Sequence, residues 1–152
     1  MVAAWRIVKA RCVTTAFDGE GARLAGGRWT SVGRRAVYVA GTAALAALEV
    51  VAHLDSTAPL AAWSLIRVEI PDRLIEAVDT ASLPRDWRRY PAPAGLQALG
   101  DAWLDAGRSA ALRVPSALVP VEVNYVLNPR HPDFRLVRIG RPQPFPIDPR
   151  LG

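Results

Sequence analysis

The sequence predicts an α+β domain of several short strands and about two helices, not a doubly wound α/β sheet. Three observations predict it. Short β-rich runs recur along the chain and are bounded by Gly or Pro. Only two segments, following Thr42 and around Gly95–Ala106, carry helical signals. The chain has 152 residues, 51% hydrophobic and 22% charged, which is the size and composition of one globular domain spanning residues 1–152. A domain of this size buries roughly two-thirds of its unfolded surface and needs no metal or disulfide staple.

The elements follow in order. Trp5 to Lys9 (WRIVK) alternates and is β-rich, so it reads as a first strand. Asp18 to Trp29 (DGEGARLAGGRW) carries four glycines and is expected to be a loop with unusual backbone angles. Ala36 to Ala40 (AVYVA) is a short strand. Thr42 is then the N-cap of a helix running to about Leu54. Leu65 to Ile70 (LIRVEI) is a strand ended by Pro71, and Leu74 to Val78 is a further candidate strand. Asp79 to Ala94 is polar and holds Pro84, Pro91 and Pro93, so it reads as a long connection. Gly95 to Ala106 is an amphipathic helix with Leu96, Leu99, Trp103 and Leu104 on one side and Gly107 as C-cap. Ala111 to Val126 reads as strand pieces around Pro115 and Pro120. Phe134 to Ile139 (FRLVRI) alternates as a strand does, and the Pro-rich segment 141–152 is expected to end the fold as an extended tail.

Composition excludes several classes. The single cysteine, Cys12, rules out an intrachain disulfide framework and a multi-cysteine zinc site. Two histidines, His53 and His131, do not make a His-rich metal site. The start of the chain shows no basic region followed by an apolar core, so no signal peptide is read. The longest apolar stretch, Ala36 to Ala52, is broken by Gly41, Thr42 and Glu49 and is no membrane span. A soluble, cytoplasmic protein is expected. The formal charge is +5 and the pI about 10.3, which points to polyanions. Yet all basic residues but Lys9 are arginines scattered from Arg6 to Arg150, with acids between them. That pattern disfavours direct nucleic-acid binding and fits a phosphate-bearing small molecule equally well, since the guanidinium fork grips phosphates with paired hydrogen bonds.

A few residues stand out. Gly26 and Gly27 precede Arg28 without the spacing of a P-loop or a dinucleotide fingerprint. The segment is either a flexible surface loop or a place where backbone approaches a ligand and Arg28 contacts its phosphates. Glu49 sits inside an Ala/Leu/Val helix, beside Leu45, Ala52 and His53 at helical spacing. A carboxylate there is costly to bury unless paired. It is either a partly exposed side chain bonded to His53 or an arginine, or a catalytic carboxylate at a cleft. Tyr38 is a core tyrosine with a satisfied hydroxyl or a ring facing a ligand. Ser116, held between Pro115 and Ala117, caps a turn or aims its hydroxyl at a site. Asn124, in an apolar strand, needs a partner from backbone or ligand. His131 reads as structural.

These residues lie in a longer pattern. In order come WRIV, AFDGEGARLAGGRW, AVYVA, an Ala/Leu helix carrying Glu49 and ending in HL, then LPRDWR. A Gly-Asp-x-Trp helix, LRVPSALVPVEVNYVLNP and HPDF follow. The pattern resembles the RES domain, the toxin half of Xre-RES toxin–antitoxin pairs, over nearly the whole chain. The G-A-R-x-x-G-G-R-W and VPSA…E-x-N-Y-x-x-N-P-x-H-P runs carry most of the resemblance. The family is named for an Arg, a Glu and a Ser, which the resemblance places at Arg28, Glu49 and Ser116. Thr30 departs from the Asn that commonly follows the GGRW tryptophan, and Thr can keep the polar contact.

The resemblance implies a fold similar to ADP-ribosyltransferase toxins and an enzyme that takes NAD as substrate. It implies growth arrest by NAD depletion and neutralisation by a cognate Xre-type antitoxin that covers the active site. It also implies a homodimer within the toxin–antitoxin complex, with DNA contacted only through the antitoxin; no membrane partner is expected, since the longest apolar run is interrupted. Breaking the nicotinamide–ribose bond builds positive charge on the ribose, which a carboxylate such as Glu49 would stabilise. Tyr38 could stack on nicotinamide, Arg28 and Arg6 could hold the pyrophosphate, and Ser116 and Asn124 could orient ribose or carboxamide. No metal is expected, because nicotinamide leaves as a neutral group. The acceptor stays open: water, phosphate or a protein side chain. The rival reading is a non-enzymatic partner-binding module, against which the intact set Arg28, Tyr38, Glu49 and Ser116 argues.

Overall fold

The computed structural model describes residues 1–54 and 62–151, so Gly152 of the expected tail lies outside the described residues. The strands are β1 (Val2–Lys9), β2 (Val37–Ala40), β3 (Trp63–Ile70), β4 (Ile75–Ala77), β5 (Ala111–Pro115), β6 (Val123–Leu127), β7 (Arg138–Ile139) and β8 (Gln143–Pro144). The helices are α1 (Glu20–Ala25), α2 (Ala43–Ala52) and α3 (Ala94–Ala106). All the strands join one sheet in the order β4-β5-β6-β2-β1-β3-β7, with β8 also on β3. The pairs are antiparallel except β4–β5. This is the α+β class that the short strands and sparse helices predict.

β1 and β3 pair along their whole length, from Val2↔Ile70 to Lys9↔Trp63. β1 and β2 meet only at Trp5↔Ala40. There the Arg6 guanidinium takes over, donating from Nη1 to the Tyr38 carbonyl and from Nε to the Ala16 carbonyl, both at 2.9 Å. The register places Asn124 beside both Ala40 and Val114, and Val126 beside both Tyr38 and Leu112. Residues directly opposite share a face. Both helices cover this face. Leu45, Ala46 and Ala47 of α2 pack on Ile7 and Ala40, and Leu96 and Trp103 of α3 pack on Leu112, Val114 and Val126. The opposite face carries Ala4, Val37, Val39, Val68, Tyr125 and Leu127, with Phe17, Phe134 and Leu136 against them.

Local chemistry explains the helices. Thr42 Oγ1 accepts from Leu45 N at 3.0 Å and caps α2 as expected. Gly107 ends α3 in the left-handed region, φ 61°. Two expectations need correction. The Gly-rich segment is not all loop, because α1 forms between Gly19 (φ 78°) and Gly26 (φ 72°). Asp18 accepts from Glu20 N, and Glu20 pairs with Arg23 one turn on, so the glycines bound a helical turn rather than prevent one. Phe134–Ile139 is not a strand. Residues Pro132–Leu136 form a 3-10 turn that His131 caps by accepting from Asp133 N at 3.0 Å, leaving only Arg138–Ile139 as β7. The tail is extended at β8 and closes in a 3-10 turn at Pro149–Leu151.

Candidate active site

A cleft of about 920 Å³ opens on the sheet face that carries both helices. Arg6, Arg28, Tyr38, Glu49 and Asn124 line it, while Ser116 is fully buried behind its wall. The sequence separates these residues widely, and the fold gathers them.

Glu49 leaves α2 half-buried, and its Oε1 accepts from Asn124 Nδ2 at 2.9 Å and Ser116 Oγ at 3.2 Å. Both bonds fall on one oxygen, and among the described residues Oε2 has no hydrogen-bond partner, which keeps its lone pairs for a ligand. His53 does not pair with this carboxylate; its ring contacts the Glu49 backbone carbonyl at 2.7 Å. Among the described residues the Glu49 carboxylate bonds to neither His53 nor an arginine, and it lines the cleft. The Ser116 hydroxyl does two things. It caps its turn by accepting from Leu118 N at 3.2 Å and Val119 N at 3.1 Å. With both accepting sites engaged, its proton points to Glu49.

Arg28 reaches the cleft on a loop gripped by one face of α3. Gln97 Nε2 donates to the Gly27 carbonyl at 3.0 Å. Gly100 packs against the Trp29 carbonyl so closely that a Cβ would sit 1.6 Å from its oxygen. Asp101 accepts from Ser31 N at 3.1 Å and from Ser31 Oγ. Positions 97, 100 and 101 share one helix face, which explains the Gly-Asp-x-Trp run. From below, Tyr38 Oη accepts from Trp29 N at 3.2 Å and shares a 2.7 Å bond with Thr30 Oγ1. Thr30 thus keeps a polar contact at the position where it departs from Asn. A Cβ on Gly27 would lie 2.4 Å from Tyr38 Oη, so this position admits only glycine without movement. Burial pushes the Tyr38 hydroxyl above its ordinary range, so it is neutral.

Arg28 Nη1 donates to the carbonyls of Trp87 and Arg89, both at 2.9 Å. Burial lowers its pKa, and the facing charge of Glu49 opposes that shift. Arg6 is more deeply buried, which lowers its pKa against the raising effect of Asp18. Two of its nitrogens are engaged by backbone carbonyls, so it laces the sheet as much as it faces the cleft.

Sequence reasoning missed Gln97, Arg88 and Tyr90, which also line the cleft. Tyr90 meets the His53 ring edge-on, centroids 6.2 Å apart at 74°. The available signal was the dense Arg and aromatic content of Trp87–Tyr90, inside a stretch read as a connection. His131 lies elsewhere, its Nε2 2.9 Å from the Gly107 carbonyl, and is structural as expected. Among the described residues no group of three or more His, Cys, Asp or Glu side chains is placed to hold a metal ion, and no helix is long and apolar enough to cross a membrane.

Comparison with known proteins adds an independent line. The RES domain family model matches residues 3–148. "Toxin Res" of Yersinia enterocolitica is 39% identical over 148 residues, covering 97% of each chain. The "Prs ADP-ribosylating toxin" of a Sphingobium species is 38% identical over 153 residues, covering 97% of this chain and 94% of that one. Among solved structures, a chain of the M. tuberculosis MbcT-MbcA toxin–antitoxin complex superposes with a TM-score of 0.76 at 22% identity, covering 94% of this chain and 83% of that one. That likeness concerns the fold.

Proposed function

The chain belongs to the RES domain family, and from that premise we propose that it is the toxin of a toxin–antitoxin pair, an enzyme that cleaves the nicotinamide–ribose bond of NAD. The observation that carries this reading is the Glu49 carboxylate, held by Ser116 and Asn124 in a cleft that it shares with Arg28. As the glycosidic bond breaks, its electron pair leaves with nicotinamide and positive charge grows on the ribose. A fixed carboxylate stabilises that charge without having to reorganise. Glu49 takes this role through Oε2, with Asn124 and Ser116 fixing its orientation. Arg28 binds the diphosphate, and Tyr38 offers a ring to the nicotinamide while its hydroxyl holds the Arg28 loop. An acceptor then closes on the ribose: water yields ADP-ribose, and phosphate yields ADP-ribose 1-phosphate. The consequence is growth arrest in the cytoplasm, relieved by a cognate antitoxin of the Xre type, with a toxin homodimer in the complex.

A second acceptor has a specific observation behind it. The Sphingobium relative is described as ADP-ribosylating, so transfer to a protein side chain is the alternative. Purified, antitoxin-free protein incubated with NAD, with and without phosphate, separates these outcomes by chromatography. Nicotinamide with free ADP-ribose means hydrolysis, and a phosphorylated product only in phosphate means phosphorolysis. Untouched NAD with folded protein favours an obligatory protein acceptor or the partner-binding module.

A further inference from the structure

We propose that Arg88 is a substrate-binding residue, carried on a strap over the cleft and gripping the diphosphate of a dinucleotide together with Arg28. The proposal rests on the reading of the cleft as an NAD site and adds a residue to it.

The strap is the run Trp87–Tyr90, and it is tied to three sides of the cleft. The Trp87 and Arg89 carbonyls both hold Arg28 Nη1. Arg88, between them, sends Nε to the Ala117 carbonyl at 3.0 Å, beside Ser116. Tyr90 rests on His53, one helical turn beyond Glu49. The guanidiniums of Arg28 and Arg88 are therefore linked through a single stretch of backbone and each is fixed at one edge. Among the described residues neither has a carboxylate partner, whereas Arg89 pairs with Asp86, Arg34 with Asp105 and Arg150 with Asp148. Arg88 is an exposed cation whose Nη1 and Nη2 are left over for a ligand.

The charges match the ligand. Among the described residues, Arg6, Arg28 and Arg88 line the cleft with one carboxylate, Glu49. Three positive charges against one negative leave two, the complement of a diphosphate diester bearing two negative charges. Arg6 already has Nε and Nη1 on backbone carbonyls. The paired donors that a diphosphate takes best come from Arg28 and Arg88.

Calorimetric titration of the full chain with ADP tests this, because ADP carries the diphosphate and lacks the nicotinamide–ribose bond. Arg88→Ala should bind ADP about tenfold or more weakly than the wild type. Arg88→Lys, which keeps the charge and loses the fork, should fall between them. Arg85→Ala, which removes a nearby charge outside the cleft, should match the wild type. The proposal is overturned if Arg88→Ala and Arg88→Lys both bind within twofold of the wild type. It is equally overturned if Arg85→Ala loses as much, or if the wild type does not bind ADP. Thermal unfolding of each variant checks the fold, and Arg88→Lys decides if Arg88→Ala does not fold. NAD turnover is followed in parallel. Arg88-dependent ADP binding without turnover sinks the cleavage reading alone, and turnover with Arg88-independent ADP binding sinks the role of Arg88 alone.

Discussion

Asn124 Nδ2 donates to Glu49 Oε1 at 2.9 Å, joining strand β6 to helix α2 across 75 positions of sequence. The bond fixes one carboxylate oxygen of a residue that lines the cleft. Asn124→Ala removes a hydrogen bond to a charged group, worth about 1.5–3 kcal/mol. NAD turnover should fall roughly tenfold to a hundredfold while thermal unfolding shows a folded protein. Steady-state kinetics on the variant check this.

Ser116 addresses the same oxygen and also caps its own turn. Ser116→Ala should therefore lower both activity and stability, the latter by about 1–3 kcal/mol, because buried amides lose their acceptor. The double variant Ser116→Ala/Asn124→Ala should lose less activity than the product of the single losses, since both donors act through Glu49 Oε1. Kinetics around the full mutant cycle give the coupling.

Two glycines separate stability from function. A Cβ on Gly100 would meet the Trp29 backbone at 1.6 Å, and backbone cannot swing aside. Gly100→Ala should cost at least the upper end of the ~1–3 kcal/mol seen for overpacking, read from denaturant unfolding. A Cβ on Gly27 meets the Tyr38 hydroxyl instead, the end of a side chain. Gly27→Ala should stay folded and lose NAD turnover as the Arg28 loop shifts.

The buried Tyr38 gives a pH signature. Its hydroxyl is raised above the ordinary value of 10.0, with burial the leading cause. Above pH 10 the unfolded chain releases this proton before the folded one does, so the folded state holds more protons and stability falls as pH rises. Stability curves at pH 9 to 11 should show the wild type declining more steeply than Tyr38→Phe. Parallel curves would contradict the assignment.

How much of this was legible in the sequence depends on whether the cause was local. Thr42 and Gly107 cap their helices through neighbours in the chain, and both ends were readable. Glu49 was visible as an anomaly because an acid in an apolar helix needs a partner. The partners themselves, Ser116 just after β5 and Asn124 in β6, are distant in the chain; the resemblance groups Ser116 with Glu49, but both partners were expected to orient ribose or carboxamide rather than the carboxylate. The alternation in Phe134–Ile139 misled, because Phe134 and Leu136 reach the sheet as well from a 3-10 turn as from a strand. The glycines around α1 hid a helix whose ends they define. Arg88 looked like one arginine among many, and the Ala117 carbonyl that singles it out lies 29 residues away.

The central claim is that Glu49 drives cleavage of the nicotinamide–ribose bond. The most direct test is nicotinamide release from NAD by the purified wild type and by Glu49→Gln, which keeps size and hydrogen bonding but removes the charge. The account predicts release by the wild type and a loss of about a hundredfold to a thousandfold in the variant, with ADP affinity and unfolding temperature retained. Near wild-type release by Glu49→Gln would contradict it.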